Sequence, residues 1–452
     1  MKLRIVISSH QLIILNSALL ILFSSCSVEK QIAKSAKADV LDTKALQTAH
    51  VGISIFDPAA NKYLYNYQGD KYFVPASNTK IPTCFAAMKY LGDSLIAARY
   101  FVTGKNIFIE PTADPTFLYP DFPKQPLFEM LRNDADTIML ASTMIFYPLG
   151  NGWAWNDYDQ YYMAEKSSFP MFGNVIWLSG GLQYPPHWMR NNKIDTLMRW
   201  NNNEFWLRPK YFASNLHPDG GVEPKQREKD RNFFYIGQIS GTKEIPFVTS
   251  ERLTELNLLS SVLGKPVRSG YTTIKKGEKI LYSQPTDSLL KPMMHRSDNF
   301  FAEQSLLMVS NEMLGVMNDE KIIDTLLKTD FKDLPQKPRW ADGSGLSRYN
   351  LFTPQDFVAI LNKMKNEFGM ERIKVILPTG GEGTISSYYK ADSGYIYAKT
   401  GTLSGVVAFS GFLYTKKGKL LIFSTLVNNH QATATEVRRA VEKFLQGIRN
   451  NY

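Results

Sequence analysis

Apolar and small residues alternate along the chain soon after residue 45. Positions 51–55 alternate between aliphatic and small side chains, positions 57–61 form a turn sequence, and tyrosine takes every second position of 63–67. A period of two is typical of β-strands, so this region predicts a hairpin. A mostly apolar stretch follows it and ends near Leu91, which predicts a helix.

The C-terminal part of the chain carries the clearest periods. Apolar residues at three-and-four spacing predict helices at Thr249–Leu263 and Met293–Met308, and an amphipathic closing helix at Thr433–Ile448. Gly405–Tyr414 and Leu420–Val427 predict strands. Strands near both ends with helices between them favour an α+β fold, in which the N-terminal hairpin joins a C-terminal sheet.

The middle of the chain, from about residue 101 to 248, is dense in aromatic residues, Asn, Pro and Gly. Short strands are predicted at Thr137–Phe146 and Gly173–Ser179, whereas Asn191–Lys229 has no strong period. We interpret this region as inserted strands and loops.

The N-terminus predicts a secretory signal peptide over residues 1–25. Lys2 and Arg4 precede an apolar run, Leu12–Phe23, that is too short to span a bilayer. Small residues then precede Cys26, which predicts a lipoprotein cleavage site with Cys26 as the lipidated first residue. An ordinary secretory signal that contains a Cys is the alternative. Residues 26–45 are interpreted as a lipid-anchored tether or a first amphipathic helix.

Charge and cysteine content restrict the class of protein. The formal net charge is +10, and removal of residues 1–25 takes away Lys2 and Arg4 and no acidic residue, which leaves +8. A basic secreted protein is expected near an anionic surface such as cell wall or lipid headgroups, and no basic run with interleaved aromatics indicates nucleic-acid binding. With Cys26 lipidated, Cys84 is alone, in an apolar stretch, and we expect a core residue without a disulfide.

Three short motifs carry the candidate chemistry: Ser77–Lys80 (Ser-x-x-Lys), Ser297–Asn299 (Ser-x-Asn) and Lys399–Gly401 (Lys-Thr-Gly). Ser-x-x-Lys also occurs elsewhere in the chain, for example at Ser27–Lys30 and Ser387–Lys390, and is weak alone, but the other two motifs each occur once. The three in this order are typical of penicillin-binding proteins and their β-lactamase relatives. The six histidines have no paired metal-ligand spacing, so neither metal nor cofactor is expected.

The motifs make chemical sense together. A serine hydroxyl becomes a nucleophile when a neighbour takes its proton, and residues i and i+3 of a helix share a face, so Lys80 would adjoin Ser77. A buried lysine near other cations can be a neutral base. Ser297 could relay a proton to the leaving amine, Asn299 could bind the substrate amide, and Lys399 adds positive charge for a substrate carboxylate. An edge strand after Lys399 could dock an extended peptide.

The chain as a whole resembles the D-alanyl-D-alanine carboxypeptidase/endopeptidases of penicillin-binding protein 4 type. The resemblance extends through most of the chain after the signal peptide. The most specific segments are Trp153–Asp157 and Asp342–Arg348, which separate this family from β-lactamases in general. Ser77 and Ser297 are 220 positions apart, a gap far longer than in β-lactamases.

The resemblance implies a penicillin-binding/β-lactamase-like serine peptidase domain, an antiparallel sheet flanked by helices, with large inserted β-rich domains. The implied division is 46–100 and 265–452 for the peptidase domain, 101–180 and 240–264 for inserted domain II, and 181–239 for inserted domain III.

The resemblance also implies the roles of the site residues. Ser77 would be acylated, with Lys80 as its base and Ser297 and Asn299 assisting. The terminal carboxylate of the substrate would be bound by Lys399, Thr400, Gly401 and Thr402, and the oxyanion by the backbone N–H groups of Ser77 and Thr402. Positions that contact the charged end of the stem-peptide diamino acid are matched by Asp157, Tyr162 and Arg348.

The activity implied is that of a periplasmic serine D,D-peptidase acting on peptidoglycan stem peptides, with β-lactams as covalent inhibitors. It would remove terminal D-Ala, cleave D-Ala–diamino acid cross-links, or both, and the sequence leaves this choice open. Two alternatives are a β-lactamase or esterase with the same motifs, and a non-catalytic wall-binding protein on a peptidase fold.

Overall fold

A computed structural model of the chain describes residues 28–141, 147–180, 184–200, 203–218, 226–237, 239, 241–250, 252–270 and 279–452. The predicted signal peptide and Cys26 lie outside these residues, as does part of the strand predicted at Thr137–Phe146. In the described part of the chain, no helix is both long and apolar enough to cross a membrane.

The first sheet has five antiparallel strands and confirms the predicted joining of the two ends of the chain. Its order is β14-β15-β16-β1-β2. The strands are β1 (His50–Asp57), β2 (Lys62–Tyr67), β14 (Ile396–Leu403), β15 (Val406–Tyr414) and β16 (Leu420–Asn428). Since β1 pairs with both β2 and β16, the predicted hairpin is an extension of the C-terminal sheet.

Helices cover both faces of this sheet. They are α1 (28–36), α2 (Lys80–Tyr90), α6 (Thr286–His295), α7 (Asn299–Leu314), α8 (Asp319–Lys328), α9 (Pro354–Ile376, bent at Gly369) and α10 (Ala434–Asn451). Neighbouring residues of β15 belong to different cores: Ala408 packs with α2, α7 and α9, and Phe409 packs with α1 and α10. Side chains alternate across a strand, so a strand buried on both faces is apolar throughout.

The segment after the predicted lipidation site is helical and packed. Residues 28–36 form α1 and Lys37–Leu41 continue as a π-helical turn. Ile32 and Val40 are buried in the same core as Phe444 of α10. Of the two interpretations given for residues 26–45, the structure therefore corrects the free tether to an amphipathic helix, because its apolar stripe packs on the sheet.

The described residues between 94 and 285 form three further sheets. The five-stranded sheet has the order β12-β5-β4-β3-β13, the four-stranded sheet β11-β6-β8-β7, and β9 pairs with β10. The strands are β3 (Ser94–Thr103), β4 (Asn106–Pro111), β5 (Thr137–Ala141), β6 (Val175–Gly180), β7 (Thr196–Trp200), β8 (Asn203–Arg208), β9 (Leu216–Pro218), β10 (Phe234–Ile236), β11 (Thr242–Pro246), β12 (Val267–Gly270) and β13 (Lys279–Pro285). The helices of this region are α3 (Pro126–Asp134), α4 (His187–Asn191) and α5 (Arg252–Leu263).

The pairing of β3 with β13 bears on where the predicted insertion would begin and end. Both strands belong to the five-stranded sheet of residues 94–285, although the sequence assigned most of β3 and all of β13 to the peptidase domain. Ala97 and Ala98 of β3 are buried in the core of that region. The division of the chain into domains remains a prediction, with junctions near residues 94 and 285 in place of 100 and 265.

The helix predicted at Met293–Met308 is two helices in the structure. Helix α6 ends at His295 and α7 begins at Asn299. Ser297 lies between them with φ of +61°, a conformation that interrupts a helix. Asp298 then caps α7, since its side chain accepts a hydrogen bond from the N–H of Phe301. The continuous apolar pattern on both sides of the break hid it from the sequence analysis.

Candidate active site

Ser77 lies in a 3-10 turn, Ala76–Thr79, that leads directly into α2. Lys80, the first residue of α2, directs its Nζ to Oγ of Ser77 at 3.1 Å. Ser77 is partly exposed while Lys80 is fully buried. The predicted i, i+3 pairing therefore brings an accessible hydroxyl into contact with an amine that is buried from solvent.

Two further oxygens hold the Lys80 ammonium group. Its Nζ donates to Oδ1 of Asn299 at 2.6 Å and to the carbonyl of Ser344 at 2.7 Å. Burial lowers the pKa of Lys80 to about 8, an effect that the negative charges of Asp342, Glu303 and Asp298 partly oppose. Near neutral pH a useful fraction of this amine is therefore uncharged and able to accept a proton.

Ser297 and Lys399 form a second contact beside the first. Nζ of Lys399 donates to Oγ of Ser297 at 2.9 Å and to the carbonyl of Thr400 at 2.7 Å. The left-handed backbone of Ser297 places this hydroxyl between α6 and α7. Burial lowers the pKa of Lys399 well below its ordinary value, and the positive charges of Lys80 and Arg438 lower it further.

Strand β14 lies at the edge of the first sheet and passes close to the turn that carries Ser77. A Cβ atom on Gly401 would lie only 2.7 Å from the carbonyl oxygen of Pro75 and 2.9 Å from the backbone nitrogen of Ser77. Glycine is required there for this approach. Thr400 donates its hydroxyl to Thr384 at 2.7 Å, and Thr402 is exposed.

The loop 342–348 reaches Lys80 through the carbonyl of Ser344, and two buried carboxylates shape it. Glu303 accepts hydrogen bonds from the N–H groups of Gly343 and Ser344 at 3.0 and 2.7 Å. Burial and the charge of Asp342 raise the pKa of Glu303 to about 7.

Asp342 accepts four hydrogen bonds: from the N–H groups of Gly345 and Ser347, the side-chain amide of Asn350 and the indole of Trp153. The last of these bonds links the loop to the inserted region.

Of the three residues expected to contact the diamino acid side chain, Asp157 and Tyr162 lie together, whereas Arg348 has a different partner. Tyr162 hydrogen-bonds the carboxylate of Asp157, and burial together with that negative charge raises the pKa of Tyr162 to about 12. The carbonyl of Tyr162 accepts a hydrogen bond from Nδ2 of Asn299 at 3.0 Å, so this segment reaches the Lys80 cluster. Arg348 instead donates to the carbonyl of Ser404 at 2.8 Å, just beyond the end of β14.

Sequence reasoning did not assign roles to several residues of this site. Ser344 acts through its backbone carbonyl, which no side-chain pattern reveals. Glu303 lies one helical turn after Asn299 on α7, so the i, i+4 spacing could have predicted that both face Lys80. Arg438 comes from α10, 36 positions after the Thr402 hydroxyl that it contacts, and only the folded chain brings them together.

Comparison with known proteins agrees with this fold and motif set. The chain aligns over 91% of its length with the D-alanyl-D-alanine carboxypeptidase DacB of Haemophilus influenzae, at 22% identity over 92% of that protein. A D-alanyl-D-alanine carboxypeptidase of Actinomadura is 24% identical, with 87% of this chain and 80% of the relative covered.

Solved structures confirm the predicted α+β fold. The crystal structure of penicillin binding protein 4 from H. influenzae superposes with a TM-score of 0.68, at 19% identity over 92% of this chain and 98% of that one. A penicillin G-acylated predatory endopeptidase of Bdellovibrio bacteriovorus has a TM-score of 0.50, at 15% identity over 88% of this chain and 92% of that one.

The D-Ala-D-Ala carboxypeptidase 3 (S13) family matches residues 32–179 and 269–448, which include all three motifs. The unmatched part between them falls within residues 94–285, which contain the three further sheets. The chain is therefore a serine-type carboxypeptidase by family, and it belongs to the D-Ala-D-Ala carboxypeptidase 3 (S13) family.

Proposed function

We propose that the chain hydrolyses the D-Ala–D-Ala bond of peptidoglycan stem peptides through an acyl-enzyme on Ser77. The observation that carries this proposal is the buried Lys80 amine, in contact with Ser77, Asn299 and the Ser344 carbonyl and with a pKa of about 8. A buried amine near neutrality beside a reachable hydroxyl fits a general base paired with its nucleophile.

In the acylation step, neutral Lys80 accepts the Ser77 proton while Oγ attacks the carbonyl of the penultimate D-Ala. The oxyanion that forms would be stabilised by the backbone N–H groups of Ser77 and Thr402. The C–N bond then breaks, and the proton that Lys80 accepted passes through Ser297, which contacts Lys399, to the leaving D-Ala amine, so that Lys80 is neutral again. Water later attacks the ester with Lys80 again as base, which releases the shortened peptide and restores the Ser77 hydroxyl.

The edge of β14 at and after Lys399 is the proposed docking site for the end of the stem peptide. Thr400, Gly401 and Thr402 would bind the terminal carboxylate, in the field of the buried Lys399. The diamino acid side chain would contact Asp157, Tyr162 and Arg348. Asp157 and Tyr162 reach the site through Asn299, which supports this assignment, whereas Arg348 contacts Ser404 and would have to move to join them.

Removal of terminal D-Ala and cleavage of cross-links are both proposed for this site. In each reaction the leaving amine carries a neighbouring carboxylate, so the same β14 edge serves both substrates.

We further propose a cell-envelope location, with lipid on Cys26 holding the enzyme at a membrane surface. The net charge of +8 after signal-peptide removal favours an anionic envelope polymer or lipid surface nearby. The described chain begins at Val28, and α1 packs on the sheet from its first turn. A lipidated Cys26 would therefore hold the folded domain close to the membrane.

Mass spectrometry after incubation with benzylpenicillin tests the nucleophile. We expect a long-lived adduct of the whole β-lactam on the peptide that contains Ser77, and none in Ser77→Ala. Destruction of penicillin over many cycles without a lasting adduct would indicate a β-lactamase. Intact penicillin without an adduct would contradict the catalytic proposal and favour a wall-binding role.

The rate of penicillin acylation is expected to rise with pH through a midpoint near 8. The reactive form is neutral Lys80, and its fraction falls about tenfold per pH unit below the pKa. The second-order acylation rate constant measured by stopped-flow between pH 5.5 and 9 checks this. A rate that is flat or that falls between pH 6 and 8 would exclude Lys80 as the base.

A further inference from the structure

One cation beside the edge strand has no part in the mechanism above. Arg438 lies near the start of α10, and its Nη2 donates to Oγ1 of Thr402 at 2.5 Å. Thr402 is exposed and directly follows the Lys-Thr-Gly motif. The guanidinium therefore lies where the carboxylate end of a docked peptide is proposed to bind.

Among the described residues, no ion pair joins Arg438 to a protein carboxylate. Within the described part of the chain, the ion pairs of α10 are made by Arg439, Lys443 and Arg449. Arg438 has instead the Tyr388 ring, 5.8 Å from its guanidinium carbon. Its Nε is buried without a hydrogen-bond partner. A planar guanidinium with free donors suits a carboxylate, which can accept two parallel hydrogen bonds from it.

Arg438 and Lys399 approach β14 from opposite faces. Side chains alternate along a strand, so positions 399 and 402 point to opposite sides of the sheet. Lys399 contacts Ser297 on the side of α7, and Thr402 contacts Arg438 on the side of α10. Arg438 is also near enough for its positive charge to lower the pKa of Lys399. A carboxylate at the open edge between them would be attracted by both cations.

We propose that Arg438, together with Thr402, binds the carboxylate beside the leaving amine, which is the C-terminal carboxylate in a terminal D-Ala–D-Ala, and thereby selects substrates in which this group is a free acid. This inference rests on the proposed function. It assigns to α10, the last helix of the chain, a specificity residue that none of the three motifs contains.

The test compares two peptides of sequence diamino acid–D-Ala–D-Ala, one with a free C-terminal carboxylate and one with a C-terminal amide. In Arg438→Gln, we expect kcat/KM for the acid peptide to fall about 10–100-fold, which is the usual effect of losing a charge-assisted hydrogen bond. The kcat/KM for the amide peptide is expected to change less than about twofold. Arg439→Gln is the matched control, because Arg439 pairs with Glu442 on the same helix. It should leave both peptides unaffected.

If the amide peptide is cleaved too slowly to measure, the rates of acylation by penicillin G and by its methyl ester give the same comparison of free acid with blocked acid. Equal losses for acid and amide, or for penicillin and its ester, would show a structural role and overturn the inference. So would an Arg438→Gln enzyme as selective as the wild type. A wild-type chain that neither cleaves peptide nor is acylated would instead refute the proposed function itself, and this inference with it.

Discussion

Lys80→Met is expected to reduce the rate of acylation by penicillin at least about a thousandfold, within the range found for loss of a general base. Methionine has a similar length and no basic nitrogen, so Ser77 would keep its position but lose its proton acceptor. The substitution also leaves Oδ1 of Asn299 and the carbonyl of Ser344 without the donor that they now share. We therefore expect some destabilisation as well, about 1–3 kcal/mol.

Lys89→Met provides the matched control. Lys89 lies on the same helix, α2, but pairs at the surface with Asp330 and Glu367. It should retain the wild-type acylation rate. Thermal unfolding of both variants separates lost chemistry from lost structure. A folded Lys80→Met protein that is acylated within tenfold of the wild-type rate would exclude Lys80 as the base and require another acceptor for the Ser77 proton.

The sequence predicted the parts of this molecule that depend on local pattern. The hairpin, the C-terminal strands and the closing helix follow from periods of two and of about 3.6, and all appear in the sheet and the helix that packs on it. The three motifs also sit close together, since Lys80 contacts Ser77 and Asn299, and Lys399 contacts Ser297. Their catalytic roles remain proposals.

What the sequence could not predict depends on contacts between distant segments. The break at Ser297 lies inside an apolar pattern that predicts a single helix, and the positive φ of Ser297 and the extended backbone of Asp298 separate α6 from α7. Strands β3 and β13, which the sequence assigned largely to the peptidase domain, pair with each other although they are far apart in the chain. Ser344 acts through a backbone carbonyl, and Arg438 reaches β14 only because α10 packs on the sheet.

Asp342→Ala is expected to have the largest effect on stability, lowering the free energy of unfolding by at least about 3 kcal/mol. The carboxylate of Asp342 is fully buried and accepts from two backbone N–H groups, the Asn350 amide and the Trp153 indole. Removing it would leave these donors unsatisfied, each at a cost of about 1–3 kcal/mol, partly recovered by relaxation. A fall in Tm of roughly 3 °C or more, measured by calorimetry, would correspond to this loss.

Two further variants make this prediction specific. Trp153→Phe removes only the donor from the inserted region, so it should lower the free energy of unfolding by about 1 kcal/mol. Asp324→Ala is the control: it removes an exposed carboxylate that pairs with Lys328, and it should change the free energy of unfolding by less than about 0.5 kcal/mol.

Because Asp342 shapes the loop whose Ser344 carbonyl holds Lys80, Asp342→Ala should also slow penicillin acylation at temperatures where the protein is still folded. An Asp342→Ala enzyme with wild-type Tm and acylation rate would show that the loop keeps its shape without this carboxylate. The loop that holds Lys80 would then have to be shaped by Glu303, whose carboxylate accepts hydrogen bonds from the N–H groups of Gly343 and Ser344.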